Sequence, residues 1–359
     1  MNGGCSVDVF LQGDRILAPL DPTPRPRSSC AIAFSGWAHA VAEINHRFVE
    51  TNGIRMHVAE AGEGPLVVLC HGFPESWYSW RHQLPALADA GYHVVAPDQR
   101  GYGQTSAPAP VEAYTQLHLV GDIVGLVRSL GESSAVIVGH DWGAPVAWNA
   151  ALWRPDVFRA VAALSVPASD RASIAPTQMM RAMFGENFFY ILYFQTPGVA
   201  EHELYRDVRE TMRRFLFGAS GNAPDRGMLL MNPTNKRAHF LEQLPDAKGL
   251  PPWLTEADLD FFAAEFERAG FRGGLNWYRN MDRTWELTAA FQGKKIEQPA
   301  LFISGDRDLI RANPGYEAAM RAVVPNLRAP VILPGIGHWT QQEAPGATNE
   351  ALIGFLRSL

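Results

Sequence analysis

Asp141 stands in the run Gly139-His140-Asp141-Trp142-Gly143, between the apolar Ala135-Val136-Ile137-Val138 and a helix-like stretch from Pro145 to Leu152. A strand, a tight G-x-D-x-G turn and a helix would present its carboxylate at the carboxyl end of a sheet, where open α/β sheets place their ligands. The helix start also favours the negative charge. Alone, the motif is weak, because aspartate is an ordinary helix N-cap. Its context strengthens it. His71-Gly72-Phe73-Pro74 follows an earlier apolar strand and suits a loop whose Phe73 N–H, together with that of Trp142, would hold an oxyanion. Downstream, Gly305-Asp306-Arg307-Asp308 follows one strand and Gly337-His338-Trp339 the next, giving nucleophile, acid and histidine in that order. Asp308 is the expected acid, with Asp306 left to turn or cap the chain. His140 is expected to point into the sheet and to hydrogen-bond structurally.

A carboxylate nucleophile changes the reaction class. Serine suits acyl carbon, and no G-x-S-x-G occurs in the chain. A carboxylate suits attack at a saturated carbon bearing a leaving oxygen or halogen, giving an alkyl ester on Asp141 that His338 can hydrolyse with an activated water. A departing halide needs N–H donors. An epoxide oxygen stays attached and needs an acid, a part suited to phenols, whose pKa of ~10 keeps them protonated at neutral pH.

These residues need a scaffold, and the apolar pattern supplies one. Arg47 to Glu50, a turn at Asn52-Gly53 and Ile54 to Ala59 read as a hairpin. Leu66 to Cys70, His93 to Ala96, Ala135 to Val138, Ala160 to Leu164, Ala300 to Ile303 and Pro330 to Leu333 are short continuous apolar runs, as in parallel strands covered on both faces. Helical segments between them imply an α/β, doubly wound, mostly parallel sheet. Residues 168–291 lack such runs and carry helical patterns rich in aromatics and methionine, from Met179 to Phe194, so they read as an inserted helical cap. Most of those side chains are expected to pack the cap, and a few to line a cavity beneath it. The core is then 46–167 with 292–359, and residues 1–45 form an extension, expected to be disordered or dispensable.

The chain resembles soluble-type epoxide hydrolases of the α/β-hydrolase superfamily, from about His46 onward. The resemblance rests on HGFPESWYSWRHQLPALADAGYHVVAPDQRGYG, GHDWGAPVAW, FFYILYFQTPGVAEHEL, GGLNWYRNMDRTWE and GHWTQQEAP. It implies that Asp141, Asp308 and His338 are nucleophile, acid and base, and that Tyr190 and Tyr278 hold and protonate the epoxide oxygen. Tyr193, one turn from Tyr190, could be confused with it. Phe73, Trp142 and Trp339 are expected to wall the substrate pocket. Haloalkane dehalogenases share the Asp elbow but typically carry Asn where this chain has Phe73, and fluoroacetate dehalogenases usually carry Arg where it has Trp142. A hydrolase-fold receptor with slow or no turnover is the alternative of another class; it would be free to lose the histidine or the acid.

Composition agrees with a small apolar substrate. Across 359 residues, 47% are hydrophobic and 19% charged, and a formal net charge of -6 offers no basic field for nucleic acid or anionic lipid. No apolar run approaches the ~20 residues of a bilayer span. Cys5, Cys30 and Cys70 are too few and too scattered for a disulfide framework, so a reducing, cytoplasmic setting is expected. Cys70 reads as a buried free thiol. Cys30 to Ala42 is too weakly apolar for a signal peptide, and Asn232-Pro233-Thr234 is disqualified as a glycosylation sequon by its proline. The chemistry calls for no metal or organic cofactor, and no H-E-x-x-H motif occurs. A homodimer is left open.

Overall fold

The computed structural model describes residues 42–224, 231–232, 239–246, 249–309 and 315–359. The expected extension up to residue 41, with Cys5, Cys30 and nearly all of the Cys30 to Ala42 stretch, lies outside the described residues. So do Pro233 and Thr234.

Eight strands form one sheet in the order β1-β2-β4-β3-β5-β6-β9-β10. They are β1 (Asn45–Thr51), β2 (Ile54–Ala61), β3 (Leu66–Cys70), β4 (His93–Pro97), β5 (Ala135–His140), β6 (Phe158–Leu164), β9 (Ala300–Gly305) and β10 (Val331–Leu333). The hairpin β1-β2 pairs antiparallel and joins the sheet antiparallel to β4; the strands from β4 through β10 pair parallel. Thr51 faces Ile54 across a two-residue turn in which Asn52 and Gly53 have φ of 44° and 76°, the left-handed pair that this hairpin twist requires. β3 and β5 are buried along their whole length, which explains why they read as unbroken apolar runs rather than alternating ones.

Residues between β6 and β9 are mainly helical, with helices over Pro176–Phe184, Tyr190–Tyr193, Val199–Leu204, Val208–Gly218, Glu256–Ala269, Arg272–Arg279 and Met281–Leu287. The aromatic stretch departs from the helical expectation at one point: β7 (Phe188–Phe189) pairs antiparallel with β8 (Met231–Asn232). Gly185 ends the preceding helix with a φ of 59°, and the extended pair that follows re-aims the chain before Tyr190. Most apolar side chains of the stretch are at least half-buried, as expected; Met179 and Met183 are 37% and 67% exposed, on a helix, Pro176–Phe184, that fully buries none of its residues. No helix among the described residues is long and apolar enough to cross a membrane.

Candidate active site

Parallel register brings the chemistry to one edge. Cys70 pairs with Gly139, and Leu333 with Gly305, so the loops after β3, β5, β9 and β10 all leave the sheet at its carboxyl end. Asp141 has a φ of 48°, a left-handed conformation tolerated best by glycine, asparagine and aspartate, and the helix Gly143–Trp153 starts immediately behind it. The flanking glycines are steric necessities. A Cβ on Gly139 would overlap the Gly143 backbone, one on Gly143 would overlap the Cys70 and His71 carbonyls, and one on Gly72 would overlap the Asp141 carboxylate itself.

The Phe73 N–H donates to Asp141 Oδ1 at 2.8 Å. His338 Nε2 lies 3.2 Å from Asp141 Oδ2, and its Nδ1 lies 3.0 Å from Asp308 Oδ2. Burial works against the His338 imidazolium, but the Asp308 and Asp141 carboxylates outweigh it and hold this histidine well above its ordinary pKa. Asp306 is elsewhere: its Oδ1 accepts from the Gly335 N–H at 2.8 Å, tying one loop to the next.

Tyr190 and Tyr278, from two separate helices, line one cavity of about 90 Å³ with Asp141, His338, Phe73 and Trp339. Their ring centroids are 6.0 Å apart. Burial, then the charges of Asp141 and Asp308, push the Tyr190 hydroxyl well above the ordinary phenol range; burial, Tyr190 and Asp141 do the same for Tyr278. Both therefore stay protonated and able to donate. Tyr193 is engaged otherwise, donating to Glu203 Oε2 at 2.6 Å. Trp142 does not line the cavity as expected. Its indole stands edge-on to the Tyr278 ring at 4.9 Å, and its N–H donates to the Tyr278 hydroxyl.

Several positioning residues escaped the sequence reading. The Arg279 guanidinium donates to the Phe194 carbonyl at 3.0 Å and clamps Glu201 at 2.7 and 2.9 Å, while the Gln195 amide donates to the Tyr278 carbonyl at 3.2 Å. These bonds staple together the backbones that carry the two tyrosines. Glu343 accepts the Gly337 and Trp339 N–H groups, both at 3.0 Å, and so braces the His338 loop.

Glu75 is fully buried and ties three loops. It accepts the Gly72 N–H at 2.9 Å, His140 Nδ1 at 2.7 Å, and the amides of Gln341 and Gln342 at 3.1 Å each. His140 in turn meets the His338 carbonyl through Nε2 at 2.8 Å, the structural part expected of it. Burial opposes the Glu75 charge, but His140 and the donors prevail and hold its carboxyl down to about 2. An unfolded glutamate titrates near 4.5, so this stabilisation is present above that pH and fades as pH falls toward 2. Breaking a buried pair from one side typically costs about 3 to 5 kcal/mol. Glu75→Gln is expected to lose stability of that order at pH 7 and much less near pH 3, as measured by urea denaturation at both pH values. An equal loss at the two would contradict the assignment.

A family model described as the alpha/beta hydrolase fold matches residues 65–345, and the chain belongs to that family. It is 51% identical to epoxide hydrolase A of Mycobacterium tuberculosis, over 87% of this chain and 97% of the relative. It is 43% identical to epoxide hydrolase 2 of Siraitia grosvenorii, over 88% and 99%. Among solved structures, epoxide hydrolase A from Mycobacterium thermoresistibile superposes with a TM-score of 0.83 at 52% identity, covering 88% of this chain and 98% of that one. Potato epoxide hydrolase I superposes at 0.80 with 37% identity, covering 88% and 100%. Within the family this chain is an epoxide hydrolase.

Proposed function

We propose that the protein converts lipophilic epoxides to vicinal diols through an ester on Asp141. The reading is carried by one juxtaposition: a carboxylate flanked by the His338 base faces two phenols, Tyr278 buried and Tyr190 half-buried, across a single cavity. Asp141 Oδ1, held by the Phe73 N–H, becomes the ester carbonyl oxygen. Oδ2 attacks the epoxide carbon, its C–O bond breaks, and Tyr190 and Tyr278 protonate the departing oxygen. Alkylation removes the Asp141 charge, one of the two carboxylates that raise His338. The imidazole pKa then falls, the proton His338 sheds makes good the one the phenols gave up, and the neutral base can take a proton from water. That water attacks the Asp141 carboxyl carbon, and the oxyanion forming on Oδ1 rests on the N–H groups of Phe73 and Trp142. Collapse expels the diol with Oδ2, which takes its proton from His338, and the proton left on the Asp141 carboxyl returns to the imidazole.

Residues 168–291 act as the cap that carries the phenols, over a core of 46–167 and 292–359. The aromatic lining, with Phe73, Phe215 and Phe240, suits lipophilic substrates. Cys70, a buried free thiol, suits a reducing, cytoplasmic setting. Incubation with matched epoxides and haloalkanes distinguishes the nearest rival. Diol from the epoxides and no free halide is expected; halide release without diol would overturn the reading, and tight binding with neither product would favour a receptor.

A further inference from the structure

A second cavity, of about 380 Å³, lies between the helix Gly143–Trp153 and the helices Pro176–Phe184 and Met281–Leu287. It shares no lining residue with the cavity at Asp141, and its volume falls in the range of small-molecule sites. Trp148 and Leu152 project into it from the helix that begins beside Asp141, with Met180 and Val323 completing an apolar wall.

Its charged lining side chains are two cations, Arg171 and Lys294, and one anion, Asp170. Lys294, exposed at the rim, has no ion-pair or hydrogen-bond partner for its ammonium among the described residues. Arg171, the other lining cation, is fixed in place, stacked 4.1 Å over the Trp285 ring and bonded to Gln292 Oε1 at 3.1 Å. The one carboxylate lining the cavity, Asp170, already accepts the Arg171 and Gly293 N–H groups through Oδ1, at 2.8 and 3.3 Å. Two cations against one anion leave this rim at +1 on a chain of net charge -6.

We propose that this cavity binds an aliphatic monocarboxylate, its chain along Trp148, Leu152 and Met180 and its head group at the Lys294 rim. A carboxylate brings one negative charge to this positive rim, and its oxygens accept from the Lys294 ammonium. The site is separate from the catalytic one and does not depend on the reaction assigned to it.

Calorimetric titration of the wild-type protein with decanoate, and with decanol as the uncharged counterpart, tests this. Decanoate is expected to bind, decanol at least about tenfold more weakly, and Lys294→Glu to weaken decanoate by a similar factor, the scale of one charge-assisted contact. Lys294 is exposed and outside the catalytic cavity, so Lys294→Glu should keep wild-type epoxide turnover, which doubles as proof of folding. No binding of decanoate, equal affinity for decanol, or affinity indifferent to Lys294→Glu would each overturn the proposal. Decanoate that merely competes with epoxide and ignores residue 294 belongs to the catalytic cavity and overturns it as well.

Discussion

Replacing His338 with glutamine is expected to stop turnover after the first chemical step. Asp141 keeps its Phe73 N–H contact and its approach to substrate, so ring opening proceeds, but no base remains within reach of a water beside the ester. Loss of a positioned general base typically costs ~10² to 10⁴ in rate, here confined to the second step. One equivalent of epoxide should therefore accumulate on the protein, visible as one added substrate mass in intact-protein mass spectrometry and mapped to the peptide containing Asp141. The pH response follows from the same geometry. In the resting enzyme Asp308 and Asp141 together hold His338 charged, and Asp141→Asn removes one of them. The His338 imidazole is then expected to titrate lower than in wild type, as read by NMR. An unmodified His338→Gln protein that demonstrably binds substrate would contradict covalent catalysis.

Converting both Tyr190 and Tyr278 to phenylalanine is expected to abolish ring opening while sparing ester hydrolysis. Either change alone leaves a phenol in the cavity, and a moderate loss is expected. Losing both leaves the departing alkoxide without an acid, and groups that act as a unit are not additive, so the double variant should fall by ~10² to 10⁴ or more. Both hydroxyls are held protonated by burial and by the Asp141 charge, so the donor form persists across the neutral range. Rapid-quench measurement of the alkyl-enzyme separates the two steps. A double variant that opens styrene-type epoxides at the wild-type rate would reduce the phenols to cap packing and reopen the dehalogenase reading.

Much of the site was legible because its chemistry sits on local motifs. Asp141, Phe73 and His338 each follow an apolar strand within a few residues, and parallel register converts that sequence proximity into shared location at one sheet edge. The choice of Asp308 over Asp306 agrees with the distances, since only Asp308 reaches His338 Nδ1. What escaped was long-range. Glu75 meets Gln341 across 266 residues, and Arg279 meets Phe194 across 85; no local spacing announces such pairs. The short β7 escaped for a different reason. Phe188-Phe189 sits in an aromatic run compatible with a helix, and its extended form depends on pairing with β8, more than forty residues away. For Trp142, adjacency to a nucleophile does not say which way a ring turns; its indole stands edge-on to Tyr278.

The central claim, an ester on Asp141 cleaved at the carboxyl carbon, is tested most directly by a single turnover in ¹⁸O-labelled water with enzyme in excess over epoxide. The oxygen added to substrate in that turnover comes from Asp141 Oδ2, and the oxygen of water enters the carboxylate in its place. The diol should therefore form without label, and the peptide bearing Asp141 should gain one ¹⁸O. A labelled diol with an unlabelled Asp141 would mean that water attacks the epoxide directly and would contradict the account.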